Sequence, residues 1–133
     1  MKHALLIDDN EVDNYVSKHI ITRSKLVEKI SVASSAIEAL EFLNSILANS
    51  NDFPNIILLD IRMPEMDGFE FLDEFMKFPI AIIKGCSIIM LSSSNDQSDI
   101  EKANTYKLVK GYLNKPLDIT LFVDLVNTNV QNS

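Results

Sequence analysis

One cysteine in 133 residues, Cys86, leaves no internal disulfide to form, and nothing in the chain asks for an oxidising compartment. Beside the apolar stretch that follows it, Cys86 reads as a small buried hydrophobe. Basic residues are few: 12 Lys and Arg stand against 19 Asp and Glu, a net charge of -7. Such a balance argues against direct binding to DNA or to an anionic membrane, and for a cation or a protein surface as partner. No apolar run approaches membrane-spanning length, and the N-terminal stretch reaches Asp8 too soon to hold a signal-peptide core. Repeats, low-complexity tracts and Gly/Pro/Ser-rich linkers are missing as well. The expectation is a soluble, cytoplasmic protein with one domain over residues 1–133 and a core over about 3–130.

What is there is a regular alternation. The 47% hydrophobic content suffices for a packed core at this length. Short apolar runs at Ala4–Ile7, Ile30–Ala33, Ile56–Leu59, Ile88–Leu91 and around Tyr112–Leu113 have the length of buried strands. Helical patterns lie between them. Asn10 is placed to cap a first helix whose face carries Val12, Tyr15, Val16, His19 and Ile20. Ser35 and Glu38 have capping-box spacing ahead of Ala36, Leu40, Leu43 and Leu47. Phe69, Leu72 and Met76 suggest a short third helix after Gly68, Ser98 with Glu101 caps a fourth, and Asp118 opens a fifth bearing Leu121, Phe122, Leu125 and Val126. Five strands alternating with five helices imply βαβ units and a parallel sheet covered on both faces. Ile80–Ile83, between Pro79 and Gly85, fits a helical turn, a packed loop or an extra strand, and periodicity does not choose among them.

Open α/β sheets bind ligands beyond the carboxyl ends of their strands. There the first run ends in Asp8 and Asp9, the third in Asp60, the fourth in Ser92, and the fifth in Lys115 followed by Pro116. Singly, each is an ordinary cap, loop or surface residue. Together they bring three carboxylates, a hydroxyl and an amine to one crevice. Adjacent anions raise one another's pKa unless a cation is present, and their hard oxygens suit Mg2+.

These segments, Ile7-Asp8-Asp9-Asn10-Glu11, Leu58-Leu59-Asp60-Ile61-Arg62-Met63-Pro64 with Asp67-Gly68, Met90-Leu91-Ser92-Ser93 and Tyr112-Leu113-Asn114-Lys115-Pro116, closely resemble the receiver domains of two-component response regulators. The resemblance runs over essentially the whole chain, in order and separation as well as residue type. It implies a flavodoxin-like doubly wound five-stranded parallel sheet of order 2-1-3-4-5 flanked by five helices. It implies Asp60 as phosphoacceptor, Lys115 and Ser92 as its catalytic companions, and Mg2+ as cofactor. The metal would be held by Asp8, Asp9, Asp60 and the backbone carbonyl of Arg62, with Asp8 acting through a bound water. The bond before Pro116 would be cis, and Ser92 with Tyr112 would form the switch that reads phosphorylation out on a protein-binding surface. Arg62 and Ser94 would border the water that hydrolyses the phosphate.

The partners so implied are a histidine kinase or histidine phosphotransfer protein and a downstream protein target, with neither DNA nor membrane bound directly; a weak homodimer is compatible with the same reading. The chain would catalyse only its own phosphorylation and dephosphorylation and is otherwise no enzyme. Only a few polar residues follow the last helical pattern, so no attached output module is expected. Among other classes, a haloacid dehalogenase-type phosphohydrolase resembles Asp-x-Asp rather than the adjacent Asp8-Asp9. A flavodoxin wants a Ser/Thr/Gly-rich phosphate loop where those aspartates stand, and a calcium loop at Asp9, Glu11 and Asp13 lacks its glycine and distal glutamate. The alternative that competes is an adaptor of receiver fold acting without phosphorylation.

Overall fold

The computed structural model describes residues 3–129. Strands β1 (His3–Ile7), β2 (Lys29–Ala33), β3 (Ile56–Leu59), β4 (Ser87–Ser92) and β5 (Val109–Asn114) form one parallel sheet in the order β2-β1-β3-β4-β5. Parallel neighbours cannot be joined by hairpins. The crossovers carry helices α1 (Glu11–Ser24), α2 (Ala36–Ser45), α3 (Gly68–Phe75), α4 (Ile80–Ile83), α5 (Gln97–Ala103) and, after the last strand, α6 (Ile119–Asn129).

Strand side chains alternate between the two faces, and the core divides accordingly. Leu5, Ile7, Ile57, Leu59, Ile88 and Met90 face one cluster with Leu43 of α2 and the phenylalanines of α3; Ala4, Leu6, Ile56, Leu58, Ile89 and Leu91 face the other with Ile21 of α1 and Phe122 and Val126 of α6. The near-continuous apolar runs of β1, β3 and β4 are thus explained by burial on both sides. β5 is an edge strand, half-buried, with an extra residue between the pairings Ile88 to Val109 and Ile89 to Gly111. Cys86 is fully buried, and burial pushes its thiol well above the ordinary range.

Four local expectations are corrected. Among the described residues six α-helices flank the sheet, not five, because Ile82 and Ile83 return their amides to Pro79 O and close one turn as α4. Only Ile83 of that turn is buried, while Ile80 is 71% exposed, which is why no period was readable there. In α1 the inward residues are Asn14, Ser17 and Ile21, whereas Val12 and Tyr15 are 68% and 75% exposed. The Asn14 amide donates to Asp8 O at 2.8 Å, so a polar contact sets the rotation of this helix where it meets the strand ends. α5 is capped by Asp96, which accepts from both Ser98 N and Ser98 Oγ and outcompetes the Ser98 hydroxyl for that role. Met76, finally, lies past the end of α3 and is exposed; Phe69, Phe71, Leu72 and Phe75 are what α3 buries.

The other caps hold as read. Asn10 accepts from Asp13 N, Ser35 from Glu38 N and Asp118 from Leu121 N. The Asn49–Asn55 segment contains a 3-10 turn at Ser50–Asp52 and is tied to β1 by reciprocal bonds between His3 and Asn55. No helix among the described residues is long and apolar enough to cross a membrane.

Candidate functional site

The ladder bonds of the sheet continue one residue past the strands and thereby aim the polar residues. Asp8 N donates to Ala33 O, Asp60 N to Ile7 O at 2.9 Å, and Lys115 N to Ser92 O at 2.8 Å. Asp8 and Asp60 are buried and Asp9 is exposed; their carboxylate oxygens lie within 4.8 Å of one another. The Lys115 ammonium reaches Asp8 Oδ2 at 2.6 Å and Asp60 Oδ1 at 3.4 Å. Lys115-Pro116 is cis. Ser92 is 1% exposed, and its Oγ accepts from Ser94 N at 3.1 Å.

Burial and charge crowding act together on Asp60. Burial, and after it the Asp8 carboxylate, push its pKa up to about 6 from 3.8; Lys115 opposes the rise and Asp9 adds to it. Lys115 is held above its ordinary range: burial alone would lower it, but hydrogen bonds to Asp8 and Asp13 and the charge of Asp60 outweigh burial. Three carboxylates with one proton-binding member this perturbed form a set of hard oxygen donors short of positive charge. Such a set fits a divalent cation of the Mg2+ type.

The loop after β3 closes over this site under tight steric control. Gly68 N donates to Ile61 O at 2.8 Å, and a Cβ on Gly68 would stand 2.6 Å from Asp60 O, so only glycine lets the start of α3 pack against the Asp60 backbone. Asp67 and Glu70 complete a reciprocal capping box there. Glu65 has φ 70, a left-handed conformation that a side chain adopts at some strain.

A family model of the response regulator receiver domain matches residues 4–127. The chain belongs to the response regulator receiver family. A two-component response regulator from Cytophaga hutchinsonii is 33% identical, superimposes with a TM-score of 0.92, and is covered over 98% of its chain by 100% of this one. The two-component response regulator ORR13 of Oryza sativa subsp. japonica is 32% identical over 117 residues, 88% of each chain. A protein-glutamate methylesterase/protein-glutamine glutaminase of Burkholderia thailandensis is 34% identical over 84 residues, and the match spans only 22% of that protein's length.

In this receiver the strand ends bring Asp8, Asp9, Asp60 and Lys115 together, and the backbone of Ser92 is joined to that of Lys115. The Arg62 side chain turns to α5 and pairs with Asp99 Oδ2 at 2.6 Å. Tyr112 is half-buried, with its hydroxyl donating to Ser94 O at 3.2 Å. Sequence reasoning missed two residues. Asp99 carries a buried carboxylate on α5, and Asp13 of α1 places Oδ2 2.9 Å from the Lys115 ammonium. Asp13 lies 102 residues from Lys115 along the chain, a separation that no local spacing rule bridges.

Proposed function

We propose that this receiver takes a phosphoryl group onto Asp60 from a histidine kinase or histidine phosphotransfer protein, with Mg2+ bound, and passes the signal to a protein target. The observation that carries the reading is the convergence of Asp8, Asp9, Asp60 and Lys115 at the carboxyl ends of β1, β3 and β5. An Asp60 oxygen attacks phosphorus, the bond from phosphorus to the donor nitrogen or oxygen breaks, and an acyl phosphate forms while the donor leaves with that electron pair. Asp8, Asp9, Asp60 and the Arg62 carbonyl would hold the cation, whose charge screens these anions and stabilises the transferring phosphoryl oxygens. Lys115 orients Asp60 and then pairs with the phosphoryl group. Ser92 donates its hydroxyl to a phosphoryl oxygen.

The same groups supply a route for readout. Ser92 Oγ receives Ser94 N, and Ser94 O receives the Tyr112 hydroxyl. A Ser92 drawn toward the phosphoryl group gives up its bond to Ser94, and the loop that holds Tyr112 is free to take its second arrangement. Phosphorylation favours that arrangement by differential interaction, so the result is a population shift within one fold.

Metal dependence tests the reading. Incubation with acetyl phosphate should label the wild type in Mg2+ and leave it unlabelled in excess chelator, and Mg2+ should raise the melting temperature of the wild type but not of Asp9→Ala. Equal labelling with and without chelator, or an equal melting shift in both proteins, contradicts it.

A further inference from the structure

The Lys115 ammonium has three N–H donors and meets three carboxylates: Asp8 at 2.6 Å, Asp13 at 2.9 Å and Asp60 at 3.4 Å. Asp13 is the unlike member. Asp8 and Asp60 belong to the oxygen cluster suited to a cation, whereas Asp13 stands on the first turn of α1 and is not part of it. Its distance to the ammonium is shorter than that of Asp60, so at rest Lys115 leans toward the helix and away from the acceptor. Beside this contact a cleft of about 50 Å³ opens among Asp13, Ser17 and Lys115–Leu117, which gives the lysine side chain room to shift.

Resting on the phosphoacceptor reading above, we infer that Asp13 is a positioning residue that shares the Lys115 ammonium with the phosphoryl group on Asp60. A divalent cation held at the strand ends would screen Asp8 and Asp9 but not Asp13, which is no part of that cluster. In the loaded, phosphorylated site Asp13 is therefore the carboxylate left to compete with the phosphoryl oxygens for the lysine. The competition draws Lys115 off the acyl phosphate, and because the ammonium stabilises charge in hydrolysis as it does in transfer, Asp13 lengthens the life of the adduct. The Asp13 side chain is 35% exposed, so the effect is moderate and depends on salt.

Two measurements decide this. In the first, acetyl phosphate and Mg2+ label wild type, Asp13→Asn and Asp13→Glu, and decay of the adduct is followed by intact mass after the donor is removed. Asp13→Asn should shorten the lifetime about three- to fivefold, the scale on which a partly exposed ion pair acts, and Asp13→Glu should return it toward the wild-type value. A purely structural role would instead change Asn and Glu variants alike. The second is a double-mutant cycle on melting of the unphosphorylated protein with Asp13→Asn and Lys115→Met, which should show the two substitutions to be non-additive. Identical lifetimes in all three proteins, or an additive cycle, overturns the role of Asp13 and leaves the phosphoacceptor reading in place. Absence of any adduct in the wild type removes that reading and this inference with it.

Discussion

Asp60 holds its proton more tightly in the folded state than in the unfolded chain, at about 6 against 3.8. A group raised in this way contributes stability that is full below pH 3.8 and lost as the pH climbs through 6. At neutral pH the folded protein therefore carries the cost of a buried Asp60 carboxylate beside that of Asp8, which Lys115 offsets only in part. Asp60→Asn should be more stable than wild type at pH 7 by ~1–3 kcal/mol, with the difference shrinking toward pH 4. Urea melts of both proteins across that range measure it; a mutant less stable than wild type at pH 7 would mean that the carboxylates are not in repulsion. A neighbouring residue is governed by sterics alone. Gly68→Ala forces a methyl to within 2.6 Å of Asp60 O, a backbone atom that cannot step aside without moving Asp60. Its expected cost is ~1–3 kcal/mol together with slower phosphorylation, and unchanged stability and labelling would show that α3 can withdraw from β3.

At the scale of elements, α5 is attached differently from the rest. Only Asp99 and Ala103 of this helix are buried. The ties that hold it are Arg62 to Asp99, the Lys102 ammonium 4.6 Å above the Phe69 ring, and the Ala103–Tyr106 end that brings the Tyr106 hydroxyl 2.8 Å from Asp73. Arg62→Gln removes the charge paired with the Asp99 carboxylate. Amide exchange in α5 should accelerate about tenfold or more while the amides of β1, β3 and β4 keep their protection. Equal acceleration throughout would show that α5 opens only with the whole sheet. This ionic attachment also explains why α5 was harder to read than α3. The phenylalanines of α3 carry a strong apolar period, whereas α5 announces itself by caps, and Asp96 and Ser98 both have the chemistry to cap. α1 misled for a related reason: Val12 and Tyr15 hold a helical period but face solvent, and the contact from Asn14 to Asp8 O that sets the rotation joins two elements.

On the scale of the whole molecule, the doubly wound sheet brings the carboxyl ends of its strands to one edge, and that rule singles out Asp8, Asp9, Asp60, Ser92 and Lys115 in the sequence as residues that share this edge. The βαβ crossovers followed from the alternation of apolar runs and helical patterns, and the strand order from the family resemblance. The partners of side chains across the crevice did not follow. Asp13 reaching Lys115 and Arg62 reaching Asp99 depend on helix rotation and loop path, which composition and period leave free. A net charge of -7, with three carboxylates clustered at the strand ends, makes an incoming cation the natural complement of the site. The central claim is that Asp60 is where phosphorus becomes attached, and intact-mass measurement after incubation with acetyl phosphate and Mg2+ addresses it most directly. Wild type should gain the mass of one phosphoryl group and Asp60→Asn should gain none; an adduct retained in Asp60→Asn, or no adduct in wild type with any phosphodonor, contradicts the account.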